Sequence, residues 1–163
     1  MATVGNWAYI FKCRLAVASP RNGHDQLKLA HRVRHLGEAH YYARHPSMAE
    51  RCFVEALSIY RRHEHAPPLD LANAIRSFAV LKQERGATED ARRLWQEAHD
   101  LYLTLNVPAG VAESAARLAL LARLQGDLPR SRECLIEATA AADATRDPET
   151  LAYLREVKAR LAN

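Results

Sequence analysis

A chain of 163 residues, 48% apolar and 26% charged with a formal net charge of +4, has the composition of one globular domain and excludes a disordered chain. Glycine is scarce at six residues, alanine and leucine are abundant, and nothing reads as a run of β-strands, so helix is the expected element. No stretch approaches the ~18–20 consecutive apolar residues of a membrane span, and Cys13, Cys52 and Cys134 form neither a metal spacing nor a disulfide framework.

The elements follow in chain order. Residues 2–18 predict a helix with Val4, Trp7, Ala8, Phe11 and Leu15 on one face. That face is expected to pack on the next helices, because exposed Trp7 and Phe11 would be sticky. A secretion signal does not fit, since Lys12 and Arg14 interrupt the apolar run and no basic residue precedes it. The expected compartment is the reducing cytoplasm, where Cys52 and Cys134 serve as small buried apolar groups.

Residues 25–65 predict two helices with a turn near Arg44–Pro46, and Ser47 with Glu50 has the spacing of a capping box. Pro67 and Pro68 separate them from a second pair over 68–106. There Leu71, Ala74, Ile75, Phe78 and Ala79 line one helix, and Ala91, Leu94, Trp95, Ala98, Leu101, Tyr102 and Leu105 line the next. Gly86 can take the left-handed conformation that ends the first of these, and Thr88 can cap the second. A third pair over 109–146 turns at Gly126 and Asp127, with Asp127 as a cap. Asp147 and Pro148 open a last helix over 148–161, whose polar face of Arg155, Glu156, Lys158 and Arg160 suits the open end of a stack.

The three pairs are copies of one unit. Shifting Leu71, Ala72, Ile75, Phe78 and Ala79 back by 42 places them on Leu29, Ala30, Val33, Leu36 and Gly37. Shifting them forward by 40 places them on Val111, Ala112, Ala115, Leu118 and Ala119. Ala91, Trp95 and Ala98 fall in the same way on Ala49, Phe53 and Ala56, and on Ser131, Leu135 and Ala138.

On these residues the chain resembles the tetratricopeptide repeat family, over roughly residues 25–147. The period of 42 and 40 is longer than the usual ~34 and resembles the long repeats of kinesin light chain and its bacterial relatives. His40, Lys82 and Ala122 stand where the family pattern has tyrosine. The resemblance implies an all-α fold, a right-handed superhelix of antiparallel helix-turn-helix repeats in a single domain. It implies a concave groove lined by His31, Arg34, Glu38 and Tyr41, then Asn73, Arg76, Val80 and Gln83, then Glu113, Ala116, Leu120 and Arg123. That surface is mixed and partly basic, and suits a peptide or partner-protein segment carrying acidic groups. The positions that match the family's carboxylate clamp are Arg34, Glu38, Ser77, Glu113 and Arg117; two acidic groups among them argue against such a clamp.

The expected function is therefore a non-catalytic protein-binding adaptor or scaffold without a cofactor. The alternative is a self-associating homodimer, joined through Trp7 and Phe11 or through the last helix; behind it stands a regulatory domain for nucleic acid or a small ligand. Residues 1–65 carry ten basic and five acidic residues and seven of the eight histidines, so this part is basic. No nucleic-acid motif accompanies that charge, only Tyr41 and Tyr42 near arginines. His31 and His35 have the four-residue spacing of a zinc pair, but arginines flank them and no carboxylate follows at ligand spacing, so no metal site is expected. No phosphate loop or nucleophile elbow occurs, and Glu64 between His63 and His65 reads as charge at a helix end.

Overall fold

The computed structural model describes residues 23–162. The helix expected over 2–18, with Trp7, Phe11 and Cys13, lies outside the described residues. These fold into seven α-helices with no strand among them: α1 Gly23–Tyr42, α2 Pro46–Arg62, α3 Pro68–Glu84, α4 Thr88–Thr104, α5 Pro108–Leu124, α6 Leu128–Thr145 and α7 Pro148–Ala162.

Prolines set most of the starts. Pro46, Pro68, Pro108 and Pro148 each open a helix, where the missing N–H has no intrahelical partner to lose. Left-handed residues sit in the turns: Gly86 and Gly126 at φ 72° and 79°, but also Arg44 at 61°, Asn106 at 53° and Arg146 at 53°. Asp127 caps α6 by accepting from Arg130 N, and Asp147 accepts from Thr150 N at 2.7 Å.

Two expected caps are displaced. The capping position of α2 is His45 and that of α4 is Ala87, neither with a side-chain cap. Proline at the first position of α2 moves its start ahead of Ser47, so Ser47 is already inside the helix. Glu50 turns to Lys82 and Arg85 of the α3 end instead.

The chain divides at Gly86–Ala87 into two compact units. In the first, a three-residue turn folds α2 back on α1, and α3 packs on α2 and along α1. Phe53 is the pivot: it is 1% exposed and packs with Ala49 and Leu81, with Tyr41 and Phe78 against them. Gly37 makes room for it, since a β-carbon there would stand 2.7 Å from Phe53 Cε1. Lys82, where the family pattern has an aromatic, lies over the Phe78 ring and gives its charge to Glu50.

In the second unit α4 packs on α5, α5 and α6 form a hairpin, and α7 lies across both. Ala112, Ala115, Ala116 and Leu120 of α5, Ala138 and Ala142 of α6, and Leu154 and Val157 of α7 form one core cluster. The alanines let the helices approach closely, and Leu154 and Val157 fill what remains. Each of those two burials stabilises by about 1.5–3 kcal/mol. Trp95 of α4 is fully buried, whereas Leu135, its counterpart in the third copy, is only half-buried at the edge of this cluster. Cys52 and Cys134 are free thiols and buried, and burial pushes the Cys134 thiol up.

Candidate binding surface

In the first unit, α1 brings His31, Arg34, His35, Glu38 and Tyr41 to one side by three- and four-residue steps. Arg34 is 7% exposed, and its Nη1 donates to Glu38 Oε1 at 2.7 Å. The same oxygen accepts from Ser77 Oγ of α3 at 2.8 Å. The other Glu38 oxygen lies 2.9 Å from His35 Nδ1, and His35 Nε2 lies 3.1 Å from Arg34 Nη2. A guanidinium only donates, so His35 Nε2 accepts and its proton rests on Nδ1, which donates to Glu38. His31 continues the chain, with its Nε2 3.1 Å from His35 Nε2 and its Nδ1 3.8 Å from Asp70 of α3.

The electrostatics follow from this contact chain. Burial and the Arg34 charge together hold His35 below the ordinary imidazole value, against the pull of Glu38. Burial alone would raise the Glu38 carboxyl, but Arg34, the Ser77 hydroxyl and His35 outweigh it and hold it below the usual carboxylate range. At the far end of α1, Tyr41 donates to Glu84 of α3. Burial and the Glu84 carboxylate push the Tyr41 phenol up to about 12.

His31, Glu38 and Tyr41 thus form a seam with Asp70, Ser77 and Glu84, which recur every seven residues along α3. Asn73, Arg76, Val80 and Gln83 occupy the next row of α3 and are all half-buried. Of the expected groove residues, Arg34 and Glu38 are turned into the seam rather than offered outward; His31 keeps 47% of its side chain exposed. Three of the five positions that correspond to a carboxylate clamp, Arg34, Glu38 and Ser77, are bound to one another.

The second unit corrects the expectation further. Leu120 and Ala116 belong to the core cluster beneath α7, at 7% and 0% exposure, and line no open wall. The cause is the repeat register: 38 and 120 are equivalent positions, and each meets the first-type helix that follows, α3 in one case and α7 in the other. Glu113 is half-buried with Arg117 Nη2 3.9 Å away, and Arg123 is exposed at the end of α5. The Arg117 guanidinium stands 5.6 Å from the Trp95 ring centre and 5.1 Å from that of Tyr153.

A polar link escaped the sequence reading. His99 of α4 is 4% exposed, with Nδ1 3.0 Å from Ser114 Oγ of α5 and Nε2 3.1 Å from Glu137 Oε1 of α6. Ser114 also donates to its own helix at Gly110 O, 2.7 Å away, and has no exposure at all. The signal was there: serine and histidine among alanines on an apolar face. A fully buried hydroxyl tied to backbone cannot reach a substrate, so this serine, histidine and carboxylate tie helices together. Among the described residues no group of three or more His, Cys, Asp or Glu could hold a metal ion, and His35 Nε2 faces both Arg34 Nη2 and His31 Nε2 at 3.1 Å. No helix among the described residues is long and apolar enough to cross a membrane.

No family model and no curated protein matches the sequence. Solved structures do. The crystal structure of BtubC (BKLC) from P. vanneervenii superposes with a TM-score of 0.69 at 16% identity, over 87% of this chain and 59% of that one. Aspartyl phosphate phosphatase F from Bacillus subtilis gives 0.72 at 14% identity, over 99% of this chain and 47% of that one. The apo form of RapI gives 0.73 at 14% identity, over 98% and 65%. The chain therefore spans about half to two thirds of the length of these neighbours. At such identity the likeness shows the fold alone, which is an all-α helical repeat of the tetratricopeptide-like kind.

Proposed function

We propose that the chain is a non-catalytic protein-interaction module that holds a peptide or partner segment with acidic groups. The surface we assign is the α3 row of Asn73, Arg76, Val80 and Gln83, flanked by the exposed side of His31 and by Tyr41. The observation that carries the reading is this half-buried row, which combines a cation, two amides and an aliphatic beside a hydrogen-bonded seam. The seam holds the row rigid, so an extended segment loses little to ordering the receptor. The helical-repeat fold supports the reading by analogy. Arg123 of the second unit, exposed at the end of α5, is a candidate for a further contact of the same kind.

A displayed library of random peptides tests it. Wild-type protein should enrich acidic sequences, and Arg76→Glu should lose them while keeping its helical circular dichroism. Enrichment of the same sequences by both proteins, or of none by either, would refute the assignment. Self-association is the second reading, favoured by Leu124 and Ile136, which are 77% and 71% exposed. Sedimentation equilibrium of the full chain decides it, a dimer supporting it and a monomer at high concentration ending it.

A further inference from the structure

The turn between α1 and α2 carries an arginine where its counterparts carry glycine. Arg44 has φ 61°, in the left-handed region that Gly86 and Gly126 occupy at 72° and 79° in the matching turns. A β-carbon is disfavoured there, and nothing in the local backbone asks for an arginine. Arg146 and Asn106 hold the same conformation at other helix ends, so what singles out Arg44 is the departure from its two matching turns together with the place of its side chain.

That side chain lines a cleft of about 310 Å³ with Tyr41, Pro46, Leu81, Glu84 and Arg85, all within the first unit. Leu81, 2% exposed, forms an apolar floor with Pro46 and the Tyr41 ring. The rim is charged, and most of its groups are already paired. Glu84 accepts the Tyr41 hydroxyl, and Arg85 gives Nη1 to Glu50, which also takes Lys82 at 2.6 Å. Among the described residues the Arg44 guanidinium makes no ion pair, although it lies near enough to Tyr41 to act on it electrostatically. The cleft of the second unit differs, since its arginines, Arg92 and Arg130, pair with Glu89 and Glu133.

We propose that this cleft binds one glutamate side chain of an extended partner segment, with Arg44 as the anion-binding residue. The aliphatic stem lies on Leu81 and Pro46, and the carboxylate meets Arg44, with Arg85 beside it. Arg44, Arg85 and Lys82 against Glu84 and Glu50 leave one positive charge, which matches a monoanion better than a dianion. A partly desolvated methylene stem and a charge-assisted hydrogen bond are the two contributions such a site can make. The site is separate from the α3 row, sharing only Tyr41 with it, and stands or falls without it.

Amide chemical shifts of the full chain, titrated with the end-blocked tripeptide Ala-Glu-Ala, test the proposal. The amides of residues 41–45 and 81–85 should shift together, at millimolar peptide. The end-blocked Ala-Gln-Ala should bind at least about tenfold more weakly, the factor that one charge-assisted hydrogen bond represents. Arg44→Gly and Arg44→Asn, which both tolerate the left-handed backbone, should lose the response while unfolding at the same or a higher temperature. Equal binding of the Glu and Gln peptides, an unchanged response in both variants, or no shifts at all overturns it. Tighter binding of inorganic phosphate, or of Ala-Ala with a free C-terminus, overturns the choice of glutamate. A lowered unfolding temperature in both variants shows instead that Arg44 only holds the turn.

Discussion

A methyl group at Gly37 would meet the ring of Phe53 at 2.7 and 2.8 Å and Cys52 Cβ at 3.1 Å. Phe53 is buried and cannot swing aside, so Gly37→Ala is expected to destabilise by about 1–3 kcal/mol in urea unfolding. Arg44→Gly should act in the other direction and raise stability by about 1 kcal/mol, because it removes a β-carbon from a left-handed residue. The His35 and Glu38 pair gives the chain a pH dependence. Both groups have a folded value below the unfolded one, so both favour folding in their deprotonated form and lose that contribution as pH falls. Stability should therefore begin to drop below pH 6.5 through His35 and further below 4.5 through Glu38. Urea midpoints measured from pH 7.5 to 4 check this: His35→Gln should flatten the upper limb, and an unaltered limb would discount the role given to His35. Small residues such as Gly37 were legible from the repeat alignment; the tie of Arg34 to Glu38 was not, because a basic residue four places from an acidic one looks the same on an open face.

Helix boundaries were read best where the chemistry is local. Asp127 and Asp147 cap α6 and α7 as their positions imply, since an aspartate before a proline-containing first turn leaves few alternatives. Ser47 and Thr88 misled because both are already inside their helices: Pro46 opens α2 one residue ahead of Ser47, and Thr88 is itself the first residue of α4. The link from His99 to Ser114 and Glu137 joins three helices and is non-local, which is why spacing alone did not reveal it. Ser114→Ala would leave His99 Nδ1 without that partner in a buried site and should cost about 1–3 kcal/mol. Truncation after Asp147 removes α7 and uncovers Ala112, Ala116 and Leu120 of α5. The truncated chain should bind a hydrophobic dye and unfold at lower temperature, whereas an unchanged melting profile would mean that α7 adds nothing to the core.

Across the whole chain the charge is uneven. Residues 1–86 hold thirteen basic and seven acidic residues, and residues 87–163 hold ten and twelve. If acidic segments bind the first unit, their affinity should fall severalfold as salt rises from about 50 to 300 mM, because the screening length shrinks from roughly 14 to 6 Å. Isothermal titration at the two salt concentrations measures this; an affinity indifferent to salt would point to an apolar contact. The division at Gly86–Ala87 runs through what the repeat alignment treats as its second copy, so α3 and α4 fall in different units although they share one repeat. Periodicity groups helices that follow one another in the chain, while compactness groups those that share a core, and the two criteria need not agree.

The amino-acid sequence by itself determined the helical class, the recurrence of one hairpin pattern, the positions of most turns and the burial of Phe53 and Trp95. Those features rest on apolar spacing, proline and left-handed turn residues, all of which act within a few residues of themselves. Only the tertiary structure decided which groove-register residues are available. Arg34 and Glu38 look outward in a helical projection, yet α3 arrives with Ser77 and closes over them. Leu120 looks like a groove aliphatic, yet α7 covers it. The fate of such a side chain depends on a helix some forty residues away in one case and thirty in the other, and no local rule carries that information.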